Sequence, residues 1–360
     1  MPGKSIEELV REQGLIDIIK LASNENPLGC SPKAREALAN LSGIQLATYP
    51  SSANHPLRSK LSRKLGIDER MLTLSNGSDF LFSMALTIFA LHRGKKMLTH
   101  ELAFISYEIQ AKTLGIEVVK TPLTSDRQVD IDAMIQACDE ETAILFLANP
   151  NNPTGLLIRS EEIKRLLSHI NATTLVILDE AYYEYAYAAG DKTTLNLIAD
   201  HSNLIITRTF SKVYGLAGLR LGYAIANPMI TELLQRVQLP FVINQAALEA
   251  ANAALDDENF IIESLELNAM GMQALLEGLD ALKLTYFPSS CNFATFDCQS
   301  NALKIYQQLL RQGIIVRPLQ SYGLTNHLRV SIGTPIQNER FLDTLAFCLS
   351  ENKKELGDDI

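Results

Sequence analysis

Three observations predict an α/β fold in which a mostly parallel sheet lies between helices, joined to a smaller α+β domain. Short apolar, β-branched runs alternate with helical stretches from about residue 70 to residue 226, the rhythm turns wholly helical after Pro228, and the tail mixes strands with helices. The 360 residues are 47% hydrophobic, with 41 acidic against 32 basic side chains, so the chain reads as a folded, mildly acidic protein for which two domains are expected. A net charge of -9 speaks against nucleic acid as a partner but leaves room for a local basic pocket that takes a small anion.

The runs are Lys96 to Thr99, Ile116 to Val119, Ala143 to Ala148, Leu175 to Asp179, Leu204 to Thr207 and Leu221 to Ala226. Several are apolar at consecutive positions, as strands covered on both faces must be, and the intervening segments are long enough for crossover helices. Phe80 to Leu91 is interrupted by Ser83 and Thr87 and falls short of the roughly 18–20 apolar residues of a membrane span, so a buried helix is expected there. Residues 231–284 read as helices, with Asp256 to Asn259 as a turn and helix start ahead of the periodic stretch Phe260 to Leu282. Beyond it come strands at Asn292 to Asp297, Ile314 to Arg317 and Leu328 to Ile332, and helices at Asn301 to Gln312 and Gln337 to Leu349. The expected division is a large domain over residues 28–245 and a small one from residues 1–27 and 246–360.

Cysteines and histidines narrow the chemistry. The five cysteines form no CxxC and are scattered, which fits reduced core thiols, and the six histidines show no metal-ligand spacing. The first residues, Met1 to Glu12, carry no hydrophobic stretch of a secretory signal, so a cytoplasmic protein without a metal or membrane partner is expected.

Ligands of an open parallel sheet bind beyond the carboxyl ends of its strands. After Ala148 the chain reads Asn149-Pro150-Asn151-Asn152-Pro153-Thr154-Gly155; after Leu178 it reads Asp179-Glu180-Ala181-Tyr182; after Thr207 it reads Arg208-Thr209-Phe210-Ser211-Lys212, then Gly215 to Arg220. Three strand ends thus present an amide, a carboxylate with a phenol, and a lysine with an arginine. Taken alone, each has a plainer reading: Lys212 a solvated surface charge, Asp179 a helix cap or ion pair, Asn152 part of a good turn. Asp179 stands out because a carboxylate closing a buried strand is costly without a cationic partner.

In order and spacing these segments resemble the fold-type I pyridoxal-phosphate aminotransferases, and within them the histidinol-phosphate branch. The resemblance also takes in Ile19 to Gly29, Tyr49-Pro50, Asn76-Gly77-Ser78-Asp79, Val316-Arg317-Pro318 and Leu328 to Gly333, and so covers nearly the whole chain. It implies the fold type I architecture and pyridoxal 5'-phosphate as cofactor. Lys212 then bonds the cofactor aldehyde and shuttles the substrate proton, Asp179 faces the pyridine nitrogen, and Tyr182 and Asn152 bind the phenolic oxygen.

The cofactor phosphate falls to Gly77, Ser78 and Asp79 at a helix N-terminus, with Thr209, Ser211 and Arg220. Many family members have Glu where this chain has Phe80, but main-chain contacts would survive that change. Phe104 aligns with the aromatic that stacks on the ring, with Tyr107 as the other candidate, and core packing is the plainer reading of Phe104. Tyr49 matches a tyrosine that reaches the neighbouring subunit's cofactor, which implies a homodimer with shared sites.

For substrate, the resemblance points to Arg329, Arg317 and Asn26. Arg329 lies in the alternating run Leu328 to Ile332, where a solvent-facing arginine is the alternative. The implied reaction interconverts histidinol phosphate and 2-oxoglutarate with imidazole acetol phosphate and glutamate, in histidine biosynthesis. A transaminase for phenylalanine or tyrosine and a decarboxylase of a phosphorylated amino acid share the same motifs. A tyrosine that many members carry ahead of the Pro2-Gly3-Lys4 segment has no counterpart here, which bears on substrate rather than on cofactor. A cofactor-binding regulator and a nicotinamide-dependent dehydrogenase are disfavoured: no basic DNA-binding module precedes residue 20, and no GxGxxG follows an early strand.

Overall fold

The computed structural model describes residues 4–51, 53, 55–190 and 194–356, so Pro2 and Gly3 lie outside the described residues. Twelve strands appear among them: β1 (Ile19–Lys20), β2 (Leu72–Ser75), β3 (Lys96–His100), β4 (Glu117–Thr121), β5 (Thr142–Ala148), β6 (Leu175–Asp179), β7 (Leu204–Thr209), β8 (Gly222–Ala226), β9 (Phe293–Asp297), β10 (Ile314–Ile315), β11 (Arg317–Leu319) and β12 (Leu324–Ser331). Two compact units result, one of residues 29–152 and 156–262, the other of residues 4–28, 153–155 and 263–356. Against the expected boundary after residue 245, the larger unit extends to Ile262, because the helix Gln245–Ala254 packs on the helices Pro32–Ala39 and Pro56–Leu65.

The larger unit is built on seven strands in the order β2-β8-β7-β6-β5-β3-β4. β3 to β7 run parallel, as the consecutive apolar runs predict, while β8 is antiparallel to both of its neighbours, β7 and β2. Every residue of β5, β6 and β7 is buried. One side of the sheet contributes Ile144, Phe146, Ile177 and Ile205 to a core shared with Leu81, Phe82, Ala85 and Leu86 of the helix Ser78–Phe89. Phe82, Tyr107 and Phe146 meet there edge-on and stacked, with ring centroids 4.7 to 5.6 Å apart. Such a cluster gives the strand ends a rigid floor.

The smaller unit holds the antiparallel sheet β11-β12-β9 and the parallel pair β1-β10. Its core joins Ala294, Phe296, Leu328 and Val330 from the sheet to Leu275 and Leu279 of the helix Glu258–Ala281, Ile305 and Leu309 of Ala302–Arg311, and Phe341 and Leu345 of Pro335–Leu356. All five cysteines are free thiols, and Cys291, Cys298 and Cys348 are buried. No helix among the described residues is long and apolar enough to cross a membrane.

Candidate active site

β6 delivers Asp179 at its carboxyl end, 4% exposed. Oδ2 accepts a 2.7 Å hydrogen bond from the Tyr107 hydroxyl and Oδ1 a 3.1 Å one from Thr207 on β7. Burial, offset only in part by those hydroxyls and reinforced by Asp79, pushes the Asp179 carboxyl up to about 6. It is a negative charge held ready for a cation. The sequence motifs assign this task to neither Tyr107 nor Thr207. Thr207 carries a signal all the same, since it lies two residues before Thr209 and so on the same strand face.

The second group of residues belongs to the loop after β7. Lys212 is partly buried, with its ammonium 5.4 Å from the centroid of the buried Tyr182 ring. The loop is tied by Leu216 N–H to Phe210 O and Gly215 N–H to Lys212 O, both 3.0 Å. Gly215 is required at its place: φ is +67°, and a Cβ would sit 1.8 Å from the Gly29 carbonyl oxygen. Asn152, at the end of the turn after β5, is buried as well. Its neighbours explain the turn: the Asn149 side chain bridges to both backbone groups of Ile158, and Asn151 N–H donates to Leu156 O.

A third group forms an anion cradle. The helix Ser78–Phe89 begins at Gly77, which supplies no side-chain cap and has φ 75°, so the first-turn N–H groups have no capping side chain. Arg220 points at this end. A Cβ on Gly77 would meet its Nη2 at 2.6 Å, Nη1 donates to Ser211 Oγ at 3.4 Å, and Nη2 lies 3.8 Å from Asp79 Oδ2. Arg220 itself is left-handed, φ 55°, a strained conformation for a non-glycine that marks a constrained position. Ser211 N–H donates to Thr209 Oγ1 at 3.0 Å, which brings Thr209 into the same cluster.

Of the two aromatic candidates, Tyr107 is fully buried and stacked on Phe146 at 4.7 Å with its hydroxyl on Asp179, so its ring has no open face to offer. Phe104 is partly exposed, edge-on to Tyr107 at 5.5 Å, and caps the helix Ile105–Thr113 rather than lying within it. Tyr49 is 77% exposed and stacks on Phe241 at 4.5 Å.

The smaller unit places the predicted substrate residues. Arg317 of β11 and Arg329 of β12 are directly opposite in the antiparallel register. Arg329 is not solvent-facing: it is 7% exposed, its guanidinium lies 5.1 Å from the Phe293 ring centroid, and Nη2 donates to Ala22 O at 2.7 Å. Like charges opposite one another disfavour the sheet, so an anion that bridges them would relieve it. Asn26 is buried, donating to Ser264 Oγ at 2.8 Å and accepting from Leu28 N–H at 3.0 Å.

The match to the family model for aminotransferases of class I and II extends over residues 16–345. The chain belongs to that family. It is 54% identical over 345 residues to histidinol-phosphate aminotransferase 2 of Legionella pneumophila (strain Lens), covering 96% of this chain and 94% of that one. To histidinol-phosphate aminotransferase 2 of Pseudomonas aeruginosa it is 43% identical over 357 residues, 98% and 95% of the two chains. The crystal structure of histidinol-phosphate aminotransferase from Sinorhizobium meliloti in complex with pyridoxal-5'-phosphate superposes with a TM-score of 0.87 at 27% identity, over 99% of this chain and 96% of that one. The chain is therefore a pyridoxal-phosphate-dependent aminotransferase of fold type I. Its residues fit that cofactor: an uncapped helix N-terminus with an arginine suits the phosphate, and a buried carboxylate whose pKa is raised suits the pyridine nitrogen.

Proposed function

We propose that this aminotransferase exchanges the amino group between histidinol phosphate and 2-oxoglutarate, giving imidazole acetol phosphate and glutamate, or the reverse, in the histidine pathway of the cytoplasm. The observation that carries the reading is the directly opposed pair Arg317 and Arg329. One site must alternately accept a phosphate ester and a dicarboxylate, and two guanidinium forks serve both anions. The relatives named for this activity, at up to 54% identity, support the same substrate.

Bound pyridoxal phosphate supplies an electron-accepting ring that weakens the bonds at the amino acid's Cα. The chain's residues do the rest. Lys212 would hold the cofactor through its side-chain nitrogen and, once freed by the amino donor, would take the proton from Cα and return it two atoms further along, a 1,3-shift across the bridging nitrogen. Asp179 keeps the ring nitrogen protonated, while Tyr182 and Asn152 hydrogen-bond the phenolic oxygen. Gly77, Ser78 and Asp79, with Thr209, Ser211 and Arg220, hold the phosphate, and Phe104 covers the ring. Arg329 and Arg317 hold the substrate's anionic end, and Asn26 shapes the segment beside it.

The working unit of the proposal is a homodimer in which Tyr49 reaches the other subunit's cofactor phosphate. Exposed Ile44, Leu46, Tyr49 and Phe241 in the larger unit supply an apolar surface for such pairing.

A screen of half-reactions tests the substrate. The cofactor-loaded protein is mixed separately with glutamate, histidinol phosphate, phenylalanine, tyrosine and phosphothreonine, and conversion to the pyridoxamine form is followed by absorbance. Glutamate and histidinol phosphate are expected to react. Reaction with phenylalanine and tyrosine but not histidinol phosphate would overturn the substrate, and carbon dioxide release from phosphothreonine would overturn transamination as its role. Lys212→Ala should lose the visible band and lower turnover by about four orders of magnitude or more.

A further inference from the structure

Beside the catalytic groups lies a buried ion pair that the reaction does not use. Asp179 and Thr207 are register partners on β6 and β7, and their side chains hydrogen-bond each other. One residue further along, just past the end of β6 and within β7, where side chains alternate to the other face, Arg208 grips Glu180: Nε donates to Oε2 at 2.8 Å, and Nη2 lies 2.7 Å from the same oxygen. Both residues are 3% exposed. The Thr194 hydroxyl donates to the other Glu180 oxygen, and the Arg208 guanidinium lies 3.5 Å from the Tyr183 ring centroid. Burial opposes the guanidinium charge, but Glu180, with Tyr223, Glu184 and Tyr183 around it, outweighs burial and raises the Arg208 pKa.

The pair is connected to the lysine loop. Arg208 is the register partner of Tyr223 on β8, and two residues later Phe210 packs against both Tyr223, at 5.8 Å, and Tyr214, at 4.8 Å. Phe210 O in turn accepts the Leu216 N–H that closes the loop carrying Lys212. A buried ion pair is seldom more stabilising than apolar residues of the same volume. Its presence just past Asp179 on one strand end and just ahead of Lys212 on the other calls for another role.

We propose that Arg208 and Glu180 are positioning residues: their ion pair locks the ends of β6 and β7 in register, and so fixes Lys212 relative to Asp179. The inference rests on the roles proposed for Lys212 and Asp179 in the reaction.

The test uses the cofactor-loaded protein with two variants, Arg208→Lys and the paired Arg208→Gln with Glu180→Gln, which removes both charges of the pair together. The pH midpoint of the visible band and the rate of the glutamate half-reaction are measured alongside thermal unfolding. The paired variant should fold and show the band. Its midpoint should move by about half a pH unit or more, and the half-reaction should slow about ten-fold or more with the half-saturating glutamate concentration unchanged. Arg208→Lys should fall between it and the parent. A folded, loaded paired variant with the parent's midpoint and rate would overturn the proposal. So would loss of fold in both variants, which would leave the pair a purely structural role. Lys212→Ala is measured in parallel. If it keeps the visible band, the role of Lys212 fails and takes the proposal with it; if it loses the band, any failure in the two variants belongs to the ion pair alone.

Discussion

Each unit buries a charge of its own, and the two charges differ in what they can do about it. Asp179 in the larger unit sits among hydroxyls with its carboxyl pushed up to about 6, so it can shed its charge by taking up a proton as pH falls through that value. Arg329 in the smaller unit has no such escape, because a guanidinium does not deprotonate in a protein. It is held by the Ala22 carbonyl and the Phe293 ring, with Arg317 opposite in register. A carboxylate that a cation keeps ionised suits a resident cofactor whose ring nitrogen must be kept charged. A permanent cation suits a substrate that arrives and leaves as an anion.

Between these two charges, the larger expected effect tests the cation. Arg329→Ala should lower kcat/KM for both glutamate and histidinol phosphate by two to three orders of magnitude, from about 3 to 4 kcal/mol of lost charge-assisted binding. The cofactor's visible band should stay unchanged, because Arg329 is assigned to the substrate's anion and to no atom of the cofactor. Arg329→Lys should recover little, since a point charge does not replace the planar fork. If only one of the two substrates suffers, the arginine pair does not serve both anions and the shared-site argument breaks.

The next effect tests the acid. A carboxyl whose folded pKa lies above its unfolded value leaves stability untouched while both states are protonated and costs stability as pH rises between the two values. For Asp179, from the ordinary 3.8 to about 6, that cost in the cofactor-free protein is ~3 kcal/mol, complete above about pH 7. Asp179→Asn without cofactor should therefore be more stable than the parent at pH 8, by up to that amount, and the difference should vanish near pH 4. With cofactor bound the sign reverses, because the ring nitrogen supplies the missing cation. Denaturant unfolding at the two pH values, with and without cofactor, measures all four cases. A pH-independent difference would show that Asp179 is not the buried charge described here.

How far these two sites can be read from sequence follows from whether one strand's residues suffice. Asp179 is legible because an apolar run that ends in a carboxylate is conspicuous in one dimension. The opposition of Arg317 and Arg329 needs the antiparallel register of β11 and β12, and the Arg208 and Glu180 pair needs that of β6 and β7. No single run encodes a register. β2 escapes a reading by pattern because Leu72-Thr73-Leu74-Ser75 alternates like a half-exposed strand, yet all four residues are buried. The direction of β8 is equally hidden, since a fully buried antiparallel strand has the same apolar run as a parallel one. The last helix begins at Pro335 rather than Gln337, although proline at a first helical position is itself a start signal.

The smallest effect contrasts Arg329 with the other functional arginine. Arg220 is 46% exposed and works beside an uncapped helix N-terminus, so part of the phosphate's binding comes from backbone N–H groups that no side-chain substitution removes. Arg220→Gln should weaken cofactor affinity by about ten- to thirty-fold, some 1.5–2 kcal/mol. The loss should shrink further as salt rises, because an exposed charge is screened. Titration with pyridoxal phosphate, followed by the visible band and by turnover, should restore full activity at saturation. No concentration of cofactor should rescue Arg329→Ala. If Arg220→Gln instead stays inactive at saturating cofactor, its guanidinium does more than hold phosphate, and burial would no longer account for the difference between the two arginines.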